Sequence, residues 1–294
     1  MAILKRHDTG AVAHLTLNIP EKLNPLSDAM IAALQKEFDT LSNDPNIRSV
    51  ILAGAGKVFC AGHDLREMQA GRQAEDSGRA YFKDLFQRCA TMMQTIRKMP
   101  QPVIAQVHGI ATAAGCQLVA SCDLAVAAEG TKFGVNGVNI GLFCSTPMVA
   151  LSRNLARKHA MEMLLTGDVF GAEDALRFGL VNRVVPEAKL TGTVSELAAR
   201  IASKSMVTVK TGKQAFYRQS DMALAEAYAY TARVMTENLL MRDAEEGISA
   251  FIGKSASGSL QTFTIRFAPA LVPYGFAAYK TTGCLTLMML GTSN

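Results

Sequence analysis

Short strand-like runs recur through the first two thirds of this 294-residue chain, and stretches with helical periodicity separate them. Ala11 to Leu17 alternates apolar and polar residues as a half-buried strand does. Ser27 then precedes apolar residues at Met30, Ile31, Leu34, Phe38 and Leu41, the spacing of a capped amphipathic helix. Ser49–Ala53, Pro102–Val107 and Ala125–Ala128 are short apolar runs of the kind that form buried strands, with a helical stretch from Tyr81 to Met99 between the first two. Strands alternating with helices restrict the chain to an α/β layer architecture.

From Met148 the pattern turns helical. A single helical stretch is expected over residues 148–165, then one ending at Gly179, then Thr193–Lys204 and Leu224–Met241, with Val181–Val184 as a brief apolar exception. After Lys254 Ser, Thr and Gly mix with Phe, Leu and Met without a sustained period, so residues 255–294 are expected to be a poorly ordered, atypical tail. The expected division is a core over 1–195, a helical region over 196–254, and that tail.

Composition narrows the function classes. With 49% apolar and 19% charged residues, the chain can bury a substantial core. The formal charge is +5, but residues 255–294 contribute Arg266 and Lys280 and no acid, and no run of basic residues marks a nucleic-acid surface. No apolar run approaches the roughly 18 residues of a membrane-spanning helix. The start, MAILKRHDTGAV, lacks an apolar segment behind its basic residues, which suits a cytoplasmic chain, or one of the mitochondrial matrix if a presequence has been removed. Cys60, Cys89, Cys116, Cys122, Cys144 and Cys284 are scattered, without metal-ligand spacing, and read as packed thiols. No metal site is expected.

Two stretches carry chemistry. In KVFCAGHDLREM, Lys57 to Met68, the small pair Ala61-Gly62 lets a ligand approach the backbone just before a polar helix start. In VHGIATAAGCQLVASCD, Val107 to Asp123, small residues from Gly109 to Gly115 open into an apolar helix, where free backbone N–H groups can stabilise a developing anion. Each stretch taken alone suits an ordinary turn or a tight helix contact equally well. Together, each following a strand, they favour a site with two backbone donors. AGAGK at Ala53 to Lys57 is not a phosphate-binding loop, because the first Gly of that motif is missing and Val58 replaces its Ser or Thr.

FCAGHDLREM resembles the F-x-A-G-x-D-[LI]-x-E-M signature of the enoyl-CoA hydratase/isomerase (crotonase) superfamily, and HGIATAAGCQLVASCD resembles its G-x-A-x-G-G-G-x-E-L-x-x-x-C-D segment. LNIPEKLNPLS at Leu17 to Ser27 and LLTGDVFGAEDALRFGLVNRVVP at Leu164 to Pro186 are similar to two further motifs, in family order, and the resemblance covers residues 3–254. GCQLVASCD together with GVNIGLFCSTP looks closest to the enoyl-CoA hydratase domain-containing mitochondrial branch.

The resemblance implies an α/β, crotonase-like spiral of ββα turns with a helical C-terminal part that trimerises, as a homotrimer or a dimer of trimers. It implies an acyl-CoA thioester as ligand, with coenzyme A part of the substrate and no separate cofactor. The thioester oxygen would be held by the backbone N–H groups of His63 and Ala114. Ala61, Gly62, Asp64 and Leu65 would surround the thioester. Arg66 and the backbone of Lys22, Leu23 and Asn24 would meet the coenzyme, and Asn139 would contribute a hydrogen bond. Whether the His63 side chain faces the site or solvent is left open.

Two departures stand out. Where hydrating relatives carry glutamates, this chain has Gln117 and Gly137. Adding water to a double bond needs one group that activates water and another that delivers a proton, and neither residue does so at neutral pH. Hydratase activity is therefore doubtful, and the rival expectation is a non-catalytic acyl-CoA-binding or assembly protein.

Overall fold

The computed structural model describes residues 2–257 and the residue pairs 263–264 and 286–287. Two compact units emerge, one through Ala202 and one from Ser203. The first unit runs β1 (Leu4–Thr9), β2 (Val12–Leu17), α1 (Asp28–Ser42), β3 (Ser49–Gly54), α2 (Leu65–Gly71), α3 (Arg79–Lys98), β4 (Val103–Val107), β5 (Ile110–Thr112) and α4 (Ala114–Ser121). It continues with β6 (Leu124–Ala128), β7 (Lys132–Gly134), α5 (Ser145–Asn154), α6 (Arg157–Thr166), β8 (Val169–Gly171), α7 (Ala172–Phe178), β9 (Arg183–Val185) and α8 (Glu187–Ala202). The second unit contains α9 (Met206–Gln219), α10 (Leu224–Leu239), α11 (Arg242–Ser257) and a short antiparallel pair, β10 (Phe263–Thr264) with β11 (Thr286–Leu287). The rest of the expected disordered tail lies outside the described residues.

The larger sheet has the order β1-β2-β3-β4-β6-β9, antiparallel only between β1 and β2. Its apolar strands read as near-continuous runs because both faces are covered. On one face Leu15, Leu17, Val50, Leu52, Val103, Ala105 and Ala127 join Met30, Ile31, Leu34 and Phe38 of α1 in the main core. On the other, Ile51, Ile104, Val126 and Ala128 meet Leu190, Val194 and Ala198 of α8. Each fully buried Leu, Ile or Phe contributes about 1.5–3 kcal/mol by leaving water, so these two layers fix the sheet as a rigid platform.

A smaller sheet, β5-β7-β8, stands beside it. The expected cap forms at Ser27, whose Oγ accepts the Met30 N–H at 3.2 Å. Gly179 closes α7 in the left-handed conformation, as expected. The expected single helix over 148–165 is two helices, α5 and α6, broken at Leu155-Ala156. There the Asn154 side chain donates to the Ala120 and Ala150 carbonyls, both at 2.8 Å, and holds the end of α5. α8 begins six residues earlier than its periodicity suggested, directly behind Pro186.

Candidate functional site

Backbone hydrogen bonds lay the segment 59–63 between two others. Phe59 and Cys60 donate to the Ile110 carbonyl at 3.1 Å, and Thr112 donates back to Cys60 at 3.1 Å. On the opposite side Ala61 donates to Leu23 at 3.1 Å, and Leu26 donates to Gly62 at 2.7 Å. Leu26 and His63 pair as a parallel bridge. In such a bridge only one residue of the pair uses its own N–H across the ladder. Here that residue is Leu26, which leaves the His63 N–H unengaged by it.

The second turn brings a second donor. Ala113 takes φ 48°, ψ −119°, a conformation few non-glycine residues adopt, and offers no side-chain cap to α4. Ala114 therefore begins a helix with its N–H lacking an intrahelical acceptor. Gly62, at φ +98°, holds the two turns together: a Cβ there would stand 3.0 Å from Ala113 Cβ and 3.3 Å from the Ala114 nitrogen. Gly115 does the same from the other side, since a Cβ would collide with the Cys60 carbonyl oxygen.

His63 and Ala114 line one cavity of about 320 Å³, a size at the small end of ligand pockets. Its walls are apolar, with Met68 of α2, Phe86 of α3, Leu142 and Phe143 prominent. Leu65 and Ile140, 57% and 65% exposed, form an apolar rim. Among the described residues the lining includes no carboxylate; polar groups come from His63, Thr112, Asn136, Ser145 and Thr146.

The His63 side chain turns away from solvent and packs within the protein, without either ring nitrogen shown to face the cavity. Its Nδ1 lies 3.2 Å from the Leu26 carbonyl, which only accepts, so Nδ1 carries the proton. Nε2 is buried and has no partner among the described residues. The ring meets Phe86 edge-on at 5.8 Å, and burial pushes its pKa below the ordinary 6.5.

Among the expected site residues, Ala61, His63, Leu65, Ala114 and Gly137 line the cavity. Gly62 abuts it, through the contacts described above. Asp64 instead caps α2, accepting the Arg66 N–H at 2.9 Å, and Arg66 is exposed on the first turn of that helix. Asn24 is fully buried: its Oδ1 accepts the Ile19 N–H at 2.9 Å, and its Nδ2 donates to Ala55 and Val58 at 2.8 and 2.9 Å. Those bonds offset the roughly 2–7 kcal/mol cost of burying an amide and fix the Lys22-Leu23-Asn24 turn, in which Leu23 and Asn24 both have positive φ. Asn139 donates to the Gly167 carbonyl at 3.1 Å, a bond within the scaffold.

Gln117 lies buried on α4, its Oε1 without a partner among the described residues, and is not among the cavity-lining residues described. Gly137 lines the cavity, but a Cβ there would collide with the Leu142 carbonyl and stand 2.8 Å from Cys144 Sγ. The glycine is thus required by the course of the following loop.

The five described cysteines are buried free thiols, and Cys284 lies outside the described residues. Burial pushes Cys60, Cys89 and Cys116 up to about 12. No group of three or more His, Cys, Asp or Glu suited to a metal occurs among the described residues.

Met68, Phe86, Leu142 and Phe143 were not singled out in the sequence. A signal existed for Phe86. It pairs with Phe82 one turn earlier, their rings stacked at 6.5 Å, beside the fully buried stripe of Leu85, Cys89 and Met92.

The sequence model of the enoyl-CoA hydratase/isomerase family matches residues 7–258. The chain belongs to that family. It is 47% identical over 243 residues to the enoyl-CoA hydratase domain-containing protein 3, mitochondrial, of Xenopus laevis, covering 83% of this chain and 81% of that one. An enoyl-CoA hydratase crystal structure from Mycobacterium smegmatis superposes with a TM-score of 0.83 at 49% identity, over 86% of this chain and 97% of the other. The human enoyl Coenzyme A hydratase domain-containing protein 3 gives 0.82 at 44% identity, over 86% and 98%. The crotonase-like α/β fold and the likeness to the domain-containing branch are thereby established. The family match also extends past the expected limit at Lys254, as α11 does.

Proposed function

We propose that the protein binds an acyl-CoA thioester, with its carbonyl oxygen between the His63 and Ala114 N–H groups and its acyl chain in the apolar cavity. What supports this reading is that both donor residues line the same cavity. Two preorganised donors polarise the thioester and favour its enolate, each worth about 3 kcal/mol in a transition state. The coenzyme would run past Lys22, Leu23, Asn24 and Arg66, and the reaction calls for no further cofactor. A non-catalytic acyl-CoA-binding role is the second reading, favoured by a lining without carboxylates.

Acyl-chain dependence tests the reading. Each added CH₂ buried in the cavity contributes about 0.8 kcal/mol. Butyryl-CoA is therefore expected to bind on the order of tenfold more tightly than acetyl-CoA in titration calorimetry. Equal affinity for the two, or no saturable binding, removes the acyl chain from this cavity.

A symmetric homo-oligomer, a trimer or a dimer of trimers, is also proposed. It would cover large apolar residues that α10 exposes, such as Leu224 and Met235 at 76% and 74%. Sedimentation should give a mass three or six times the 31.5 kDa of the chain; a monomer at micromolar concentration contradicts this. The name of the Xenopus relative carries the word mitochondrial, and no helix among the described residues is long and apolar enough to cross a membrane. A cytoplasmic or matrix location is proposed on that basis.

A further inference from the structure

The five histidines of the chain meet different fates. His63 Nδ1 is hydrogen-bonded to the Leu26 carbonyl and His108 Nε2 to that of Gly56, while His159 stacks on Phe178 with ring centres 4.0 Å apart. His7 and His14 remain, and the first hairpin sets them face to face. β1 and β2 pair antiparallel about the turn at Gly10, with His7 directly opposite His14. Residues so placed have Cβ atoms about 4.5–5.5 Å apart on one face of the sheet. The two ring centres lie 6.2 Å apart, with the planes tilted by 43°. Neither ring makes a hydrogen bond among the described residues.

Strand alternation decides what surrounds the pair. Arg6 and Asp8 belong to the face that meets α1, where Arg6 pairs with Glu37 and Asp44 and holds Asp8 at 2.8 Å. The other face carries Lys5, His7 and Thr9 on β1 and Val12, His14 and Thr16 on β2. Val12 packs there in the core beneath α8 together with Ile51, the β3 residue beside His14. Those strands offer no carboxylate on this face. Burial, and then the neighbouring His7, push the His14 pKa below the ordinary 6.5 against the pull of Asp8, so His14 is neutral at neutral pH with a lone pair to give. Two protonated imidazoles directly opposite one another would repel; two neutral ones that share a cation do not.

We infer that His7 and His14 form a two-imidazole chelate for a divalent transition-metal cation of the copper(II) and nickel(II) class, with water in its remaining positions. The inference is independent of the acyl-CoA reading. An imidazole nitrogen holds such an ion at about 2.0–2.1 Å, which places it roughly 3.2 Å from the ring centre. Two rings sharing one ion thus have centres from roughly 4.5 Å apart, for a right angle at the ion, to roughly 6.4 Å, for opposed ligands. The observed 6.2 Å falls inside that span. His14 is half-buried on a strand paired on both sides, whereas His7 is exposed on the edge strand, so its ring is free to turn and close the angle. Neutral nitrogen donors without thiolate or carboxylate favour copper(II) over nickel(II) and zinc, and discriminate against magnesium and calcium. Lys5 is the one like charge on that face of β1, and its exposure leaves it open to screening. A bound ion would tie the edge strand to its neighbour where Leu4 is the only residue of β1 packed against the core.

The test uses the tag-free protein. Nickel(II) is titrated calorimetrically in a buffer that does not chelate, and copper(II), below one equivalent, is followed by electron paramagnetic resonance. The expected results are one nickel(II) per chain and a copper spectrum coupled to two imidazole nitrogens. A second ligand already in place raises affinity by about 10²- to 10⁴-fold, so His7→Asn and His14→Asn should each weaken nickel(II) binding by on the order of 10²-fold or more. Should His14→Asn fold poorly, His7→Asn at its exposed position and the copper spectrum of the intact protein still decide. Equal nickel(II) affinity in His7→Asn overturns the inference. So does a copper spectrum with one nitrogen or with sulfur ligation, and so does the absence of saturable binding by the intact protein.

Discussion

Crotonyl-CoA hydration by this protein is expected to run several orders of magnitude below that of family members with glutamates at the positions of Gln117 and Gly137. Hydration needs two positioned groups, one to activate water toward the β-carbon and one to protonate the α-carbon, and each typically contributes 10²- to 10⁴-fold. Among the described residues the cavity lining has no carboxylate to fill either role. Removing a pair that acts as a unit need not cost the sum of its parts, so the deficit should lie between the single and double values. A coupled assay of the purified protein with crotonyl-CoA checks this. Rapid hydration with a bell-shaped pH profile would reveal an acid–base pair that the cavity lining does not show, and the non-catalytic reading would fall.

The second large effect is expected at Gly115. A methyl group there collides with the Cys60 carbonyl, a backbone atom that can move only with the strand-like segment carrying Ala61 to His63. Gly115→Ala must therefore push the start of α4 away from that segment and separate the two N–H groups. Overpacking of this kind costs about 1–3 kcal/mol in stability. The variant should fold, with a lowered denaturation midpoint, and bind butyryl-CoA on the order of tenfold more weakly in titration calorimetry. Undiminished binding would mean that the close approach of the two turns has nothing to do with holding the thioester.

The residues that position this site were legible where the backbone itself demanded a residue type. Gly62 and Gly115, one before α2 and one in the first turn of α4, stand out as small residues because no side chain fits between the turns. The α1 face was legible because Met30, Ile31, Leu34 and Phe38 repeat with the helical period and all are buried. The cavity walls were not legible in the same way. Phe86, Leu142 and Phe143 come from segments that periodicity treats as packing or loop, and only the folded chain brings them to one space.

Side-chain fates were harder still. Asn24 and Asn139 carry amides that either bind a ligand or bond the scaffold, and their carbonyl partners Ala55, Val58 and Gly167 lie about 30 residues away in sequence. The edge strand β1 escaped notice for another reason. Its residues are mostly charged or polar, and Arg6 ties it to Glu37 and Asp44, with Leu4 alone packing against the core. α9 also went unread, since its Lys and Thr residues obscure a weak apolar period.

The packing around Gly137 bears on how new chemistry might be bred into this scaffold. Any side chain at 137 and the present course of residues 142–144 exclude one another. A library that randomises position 137 alone should be depleted of folded members. Sampling 142 to 144 at the same time opens room for a carboxylate, so the smallest useful search is a four-position one. Position 117 stands under no such restriction, because its side chain already occupies a buried volume that glutamate nearly matches, and a screen that begins there searches variants that still fold.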